Sequence, residues 1–322
     1  MRILLIGGTG NISSYVTALA VERGHEVTVL NRGRSTLPDG VRGLVGDAGD
    51  AASIEAAIGD ETFDAVANFR SFSPRQAADD VRIFAGRTAQ YLYVSSASAY
   101  QKPIAQLPIV ESTPLRNPFW QYSRDKIASE DLLVAAYRDS GFPVTIVRPS
   151  HTYGPSLIPL EGGWTTLQRI LEGRPIVVHG DGTSWWTLTH SRDFAAAFVG
   201  LLGNPHALGQ AVHITSDESL TWDQIARLLG SALGREPEIV HVASDVIARE
   251  IPQLGDGLVG DKAHSVLFDN TRIKQLVPGW VATTPFVDGA REVAAWYLAE
   301  PARRRVDGDL DEAFDRLIER FS

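Results

Sequence analysis

The sequence predicts an α/β protein: a doubly wound parallel sheet with a smaller, discontinuous lobe assembled from the C-terminal half. Three observations carry that prediction. Short apolar runs alternate with helical patterns from residue 3 to residue 148, the rhythm of strand–helix units whose strands lie parallel. The first run, residues 3–6, is followed at once by Gly7-Gly8-Thr9-Gly10 and then by a helical pattern over 12–23. Beyond Pro155 the rhythm loosens into shorter pieces punctuated by glycine.

Taken in order, Gly24 closes the first helix and residues 27–30 read as the second strand. A third strand over 41–45 ends at Gly46-Asp47, and a short helix covers 53–58. The fourth strand is 65–69. Ser73-Pro74 supplies a cap and a first-turn proline, and opens a helix to about residue 85. The fifth strand is 91–95. Asn117-Pro118 opens a long helix to about 140, and a sixth strand, 144–148, is stopped by Pro149. In the lobe, Glu161-Gly162-Gly163 leads into a helix over 164–172. A strand over 175–179, the turn Gly180-Asp181-Gly182, a helix over 192–202, a strand over 211–215 and a Thr221-capped helix over 222–233 follow. The expected division is 1–155 plus about 187–216 for the sheet domain, about 156–186 plus 217–300 for the lobe, and 301–322 for a terminal helix. In that helix Leu310, Phe314, Leu317, Ile318 and Phe321 share one face, and packing against the body is expected.

Composition narrows the function. Of 322 residues 44% are hydrophobic and 21% charged, enough apolar material for a large core. A net charge of −9 and a pI of about 5.4 weigh against nucleic-acid or anionic-membrane partners. The absence of cysteine excludes disulfides and thiolate chemistry and fits a reducing cytoplasm. No apolar run approaches a membrane span, and the first residues lack a secretory pattern. A cytoplasmic protein is expected. No His/Asp/Glu set has metal-ligand spacing, so no metal is expected.

In parallel sheets ligands sit beyond the carboxyl ends of the strands, and chemistry-bearing residues stand there. Strand, glycine turn and helix together make a dinucleotide cradle. Glycines admit a pyrophosphate to the backbone, and the helix N-terminus presents free N–H groups. Gly7, Thr9, Gly10, Asn11 and Ile12 form the expected cradle, and Ser13 stands where a third small residue is usual. After the second strand, Asn31-Arg32-Gly33-Arg34 replaces the carboxylate expected on an NAD ribose. Arg32 suits a 2′-phosphate and an adenine face, so NADP is expected, with NAD as the alternative. Asp47 is a candidate acceptor for the adenine amino group, and Asn68 is expected near the middle of the cofactor.

The fifth strand ends in Val94-Ser95-Ser96-Ala97-Ser98, and 26 residues after Ser96 comes Tyr122-Ser123-Arg124-Asp125-Lys126. Tyrosine and lysine at i and i+4 share a helical face. A phenol of reference pKa about 10 is a poor base at neutral pH, but a nearby ammonium favours its phenolate. Tyr122 as acid/base, Lys126 beside it and Ser96 on the substrate oxygen is the constellation this spacing supports, with Ser98 as an alternative hydroxyl.

These residues, with Arg148-Pro149-Ser150-His151-Thr152-Tyr153-Gly154-Pro155, Gly180-Asp181-Gly182 and the stretch 269–297, resemble the extended short-chain dehydrogenase/reductases, the NAD-dependent epimerases and dehydratases. The resemblance spans roughly residues 1–300. It implies a Rossmann sheet, Tyr122 as the acid/base, Lys126 also on the nicotinamide ribose, and Ser96 as the family's catalytic serine. Hydride would move between a substrate carbinol carbon and the nicotinamide. It also implies a homodimer formed through the helices beginning near Pro74 and Pro118.

One departure bears on substrate. Nucleotide-sugar enzymes of this kind carry an arginine for the substrate diphosphate after the Gly-Asp-Gly turn. Here Trp186 stands in its place, preceded by Trp185. Tryptophan offers one indole N–H and a stacking face, and lobe packing would account for both residues equally. His151, just past the sixth strand, is a candidate substrate contact; His190, Lys262 and His264 are further polar candidates. The expected function is an NAD(P)-dependent epimerase or dehydratase acting on a sugar or nucleotide-sugar. The alternative is an NADPH-dependent reductase of a less charged carbonyl compound. A rival of another class is a non-catalytic cofactor-sensing or RNA-associated protein on the same scaffold.

Overall fold

The computed structural model describes residues 1–321. Seven parallel strands form the central sheet: β1 Arg2–Ile6, β2 Glu26–Asn31, β3 Arg42–Val45, β4 Phe63–Asn68, β5 Thr88–Val94, β6 Val144–Pro149 and, after four short strands, β11 Ala211–Ile214. Their spatial order is β3-β2-β1-β4-β5-β6-β11, so the winding reverses between β1 and β4. The ligand crevice of such a sheet opens at that reversal. The intervening strands are β7 His151–Tyr153, β8 Ile176–His179, β9 Trp185–Trp186 and β10 Leu188–His190, followed later by β12 Leu220–Thr221 and β13 Ile239–Val242. They pair two by two as β7 with β10, β8 with β13 and β9 with β12.

Helices α1 Ser13–Glu22, α2 Ala51–Ile58, α3 Pro74–Phe84, α4 Gln121–Ser140, α5 Trp164–Glu172 and α6 Ser191–Leu201 follow in order. The remainder are α7 Trp222–Ala232, α8 Ser244–Glu250, α9 Pro252–Gly257, α10 Thr271–Leu276, α11 Phe286–Ala299 and α12 Gly308–Phe321. The sheet is buried on both sides. Ile3, Leu5 and Val29 pack with α1 and α6 on one face; Leu4, Ile6 and Val66 face α2, α3 and α4 on the other. A strand buried on both faces has no reason to alternate polar and apolar residues, and these read as unbroken apolar runs.

Three details differ from the sequence reading. The helix expected from Asn117 begins at Gln121, because the Asn117 side chain accepts the Phe119 and Trp120 N–H groups and forms a turn first. The lobe segment around α10 returns to the sheet domain, where Ile273 and Trp280 join its core and the Trp280 indole donates to the Asp193 carbonyl. The tail helix packs into the lobe through Leu310, Phe314, Leu317 and Ile318, against Val177, Val240 and Ile251, while Phe321 stays exposed. Arg169, buried on α5, ties it down through Asp311 at 2.6 Å and Asp315 at 2.7 Å.

Candidate active site

The glycine turn is shaped by contacts that exclude larger residues. Gly7 has φ +83°, and a Cβ there would sit 2.4 Å from the Arg70 Cγ. Gly8 lies against Val29 and Thr17, so helix α1 approaches β2 closely. Ser13 is buried. Its hydroxyl accepts the Gly10 N–H at 2.8 Å and donates to the Gly7 carbonyl at 2.6 Å, stitching the turn from inside. The residue opening α1, Ile12, gives no side-chain cap; the Ser14 N–H is taken by the Gly10 carbonyl at 3.0 Å, and the other first-turn N–H groups are open to an anion. Asn11 donates to the Thr152 carbonyl and to Ser191, which anchors the turn to β7 and to the start of α6.

A cavity of about 280 Å³ opens beside the turn, lined by Gly7, Thr9, Gly10, Asn31, Arg32, Arg34, Ser35, Asp47 and Arg70 among others. Asn31 Oδ1 accepts the Gly33 N–H at 2.8 Å, which bends the loop so that Arg32 and Arg34 flank the cavity. Asp47 Oδ1 accepts the Gly49 N–H at 2.9 Å. Asn68 is buried beneath the cavity rather than lining it. Its amide donates to both Asp80 oxygens at 3.1 Å, and its Oδ1 accepts the Arg70 N–H at 2.8 Å. Arg34 was noted beside Arg32 without a role of its own; Ser35 and Arg70 escaped the sequence reading, although each stands just past a strand end. A glycine turn without room for a Cβ, an uncapped helix start and a cavity walled by three arginines fit a dinucleotide.

At the end of β5, Ser96 caps a single 3-10 turn, and its hydroxyl lies 2.9 Å from that of Ser98. Ser123 on α4 donates to Ser98 at 2.7 Å. Tyr122, on the first turn of α4, lies between Trp120 and Phe72 with ring centroids 4.9 and 6.5 Å away. Burial pushes its phenol up, and a hydrogen bond with Ser96 draws it back down. One turn on, Lys126 is fully enclosed. Its ammonium donates to the Ser71 carbonyl at 2.7 Å and the Val94 carbonyl at 2.8 Å, leaving a third N–H. It also sits over the rings of Tyr93, Phe72 and Tyr122 at 4.8, 4.9 and 5.7 Å. Burial lowers it to about 7, while Glu130 and Asp80 push it back up.

Ser96, Ser98 and Tyr122 open onto a second cavity of about 260 Å³, walled by Trp120, His151, Trp186 and Phe268 and floored by Asp261 and Lys262. Trp186 and His151 act as a couple. The indole N–H donates to His151 Nδ1 at 3.0 Å, and burial lowers His151 to about 3, so this imidazole is neutral with its proton on Nε2. Trp185, adjacent on a strand and therefore on the opposite face, is exposed and does not line the cavity. Lys262, the one cation among the described lining residues, is paired with Glu161 at 2.6 Å, and Asp261 with buried Lys102 at 3.0 Å. His190 packs against Tyr15 and Tyr153, and His264 stacks on Phe119. Trp120, Asp261 and Phe268 carry no sequence signal for this wall; tertiary contact alone brings them there.

A model of the NAD-dependent epimerase/dehydratase family matches residues 3–214. The chain is 30% identical over 308 residues to a 2′-dehydrokanamycin reductase of Streptomyces kanamyceticus, covering 93% of this chain and 85% of that protein. It is 31% identical over 259 residues to a chloroplast stem-loop binding protein of Arabidopsis thaliana, covering 74% of this chain and 65% of that one. Among solved structures, a dTDP-glucose 4,6-dehydratase from Bacillus anthracis in complex with NAD superposes with a TM-score of 0.75 at 19% identity, over 94% of this chain and 98% of that one.

Proposed function

This chain belongs to the NAD-dependent epimerase/dehydratase family, the extended short-chain dehydrogenase/reductases, and on that premise we propose that it is an NADPH-dependent reductase of an uncharged cyclic carbonyl compound. The observation that carries the reading is the substrate cavity: a half-buried tyrosine beside Lys126 faces a space walled by aromatic rings, whose one lining cation is already paired. A nucleoside diphosphate brings two negative charges and needs unpaired donors such as arginine. A neutral ring needs flat apolar walls and a few placed hydrogen bonds. Similarity to a reductase across 93% of the chain supports the same reading.

When bound, the nicotinamide cofactor supplies or accepts the hydride. The chain's own residues do the rest. Ser96 and Tyr122 hold the substrate oxygen, and Tyr122 delivers its proton to that oxygen during reduction. The Lys126 ammonium favours the phenolate that remains and offers its third N–H to the cofactor ribose. Arg32 and Arg34 pair with the 2′-phosphate. Trp120 and Trp186 shield the reacting carbon from water and give the ring its stacking surface. The family's epimerase and dehydratase activities on nucleotide-sugars are the second reading, supported by the same Tyr122 and Lys126. The stem-loop binding relative favours no such role here, since this chain carries a net charge of −9 with its tyrosine and lysine in place. Assembly with a second copy through α3 and α4, which lie side by side, belongs to the proposal.

The test is NADPH oxidation, followed by absorbance, against a panel of neutral cyclic ketones and a panel of UDP- and dTDP-sugars. Turnover of ketones with net loss of NADPH is expected. Conversion of the nucleotide-sugars without net loss, and none of the ketones, would sink the reductase reading. Tyr122→Phe should lower kcat at least a hundredfold while the NADPH affinity stays within about threefold.

A further inference from the structure

We propose that Asp80, on helix α3 and remote from both cavities' linings, is a positioning residue that aims and charges Lys126. The geometry begins at the lysine. Two carbonyls hold its ammonium, those of Val94 and Ser71. Val94 belongs to β5 and is fixed by the sheet ladder. Ser71 lies in the loop that leaves β4, where no ladder reaches, so something else must hold it. Asn68 and Asp80 do. Both Asp80 oxygens accept from the Asn68 amide at 3.1 Å, the Asn68 Oδ1 accepts the Arg70 N–H at 2.8 Å, and the Tyr91 hydroxyl donates to Asp80 at 2.6 Å from below. Through Asn68, this carboxylate braces, together with Gln76, the loop that presents Ser71 to Lys126 at one end of the cofactor cavity and lays Arg70 over Gly7 at the other.

The charge argues the same way. Two carboxylates act on Lys126. Glu130, one turn along α4, is the stronger of the two on Lys126, but it is shared with the Arg148 guanidinium at 2.5 and 3.0 Å. Asp80 is hydrogen-bonded by neutral groups, Asn68 from β4 and Tyr91 from β5, with the Ser71 hydroxyl beside it and Asp79 of the same sign next in the helix. Its charge is therefore left to act on Lys126, whose other neighbours are the uncharged rings of Phe72, Tyr93 and Tyr122. Burial disfavours both ions, raising Asp80 to about 6 and lowering Lys126 to about 7. The Asp80 carboxylate favours the Lys126 ammonium against that burial. A buried carboxylate facing neutral donors is costly to keep, and its effect on Lys126 and on the loop carrying Ser71 accounts for its place here.

The inference rests on the reading of Lys126 as a cofactor-holding residue, and the test separates the two. The full chain and its Lys126→Met, Asp80→Asn and Tyr91→Phe variants are titrated with NADPH at about pH 7.5, by nucleotide fluorescence, and with NADH from about pH 5.5 to 9. NADH lacks the 2′-phosphate, whose own titration would overlap. Lys126→Met should weaken NADPH binding about tenfold, and Asp80→Asn at least fivefold, with loss of the acidic limb of the NADH profile. Tyr91→Phe keeps the charge but removes a donor that favours it, so its acidic limb should move to higher pH. If Lys126→Met binds as the wild type does, the reading of Lys126 fails. If Lys126→Met weakens binding but Asp80→Asn keeps wild-type affinity and pH dependence, the role of Asp80 is overturned. Should Asp80→Asn not fold, an unmoved acidic limb in Tyr91→Phe overturns it equally.

Discussion

Asp80→Asn should make the protein more resistant to unfolding at alkaline pH, although it removes a well hydrogen-bonded side chain. Asp80 is 2% exposed, and burial raises its carboxyl from 3.8 to about 6. The folded state therefore holds this proton more tightly than the unfolded chain does. Its stabilising contribution is complete below about pH 3.8 and is lost as pH rises through about 6, because a buried charge then has to form. At about 1.4 kcal/mol per tenfold change in proton affinity, the loss reaches about 3 kcal/mol by about pH 8. Roughly 1 kcal/mol of it has gone by about pH 4.5, which leaves about 2 kcal/mol between those two conditions. Asparagine carries no such dependence. It turns an amide N–H toward Asn68 or Tyr91, which costs about 1 kcal/mol at every pH. Urea unfolding of both proteins at the two pH values measures the difference. The stability of the variant relative to wild type should improve by about 2 kcal/mol from the acidic to the alkaline condition. Parallel pH dependence in the two proteins would refute the claim that burial makes the charged form of Asp80 costly to the fold.

Further outcomes follow from the same geometry. Arg32→Ala together with Arg34→Ala should weaken NADPH about 10- to 100-fold and leave NADH within about threefold, by calorimetry, because only the 2′-phosphate loses its charge-assisted partners. Equal losses for the two nucleotides would remove these arginines from the phosphate. Ser13→Ala breaks both hydrogen bonds inside the glycine turn and should cost about 1–3 kcal/mol in urea unfolding, with weaker binding of either nucleotide; unchanged binding would show the turn holds its shape without that hydroxyl. Arg169→Met keeps most of the buried volume but leaves Asp311 and Asp315 with Arg174 alone, which bridges them at 2.9 and 2.8 Å. A loss of about 2 kcal/mol is expected, below that of a fully buried pair because Asp315 is half exposed. A loss under about 0.5 kcal/mol would mean that apolar contacts alone dock α12.

The core of the site was legible because its signals are local. A turn that needs positive φ at Gly7 and no Cβ at Gly8 selects glycine whatever the rest of the chain does. Tyr122 and Lys126 meet because a helix places i and i+4 on one side, and the strands are readable because a doubly covered sheet needs unbroken apolar runs. The positions after strand ends pointed to Arg32 and Asp47 for the same topological reason.

What the sequence could not decide are relations between residues distant along the chain. Asn68 was readable as a residue at a strand end, but its turning down to Asp80 depends on helix α3 packing beneath it. Two adjacent tryptophans look alike in a sequence; pairing of β9 with β12 sends Trp186 into the cavity beside His151 and Trp185 out to solvent. Lys262 reads as a free cation until Glu161, about a hundred residues earlier, is found 2.6 Å away. The sequence by itself determined the sheet, the glycine cradle and the Tyr122–Lys126 pair, because backbone conformation and helical periodicity act over a few residues. Only the folded chain settles which charges remain unpaired and which rings wall the cavity beside Tyr122, because neutralisation and enclosure depend on groups brought together from distant parts of the sequence.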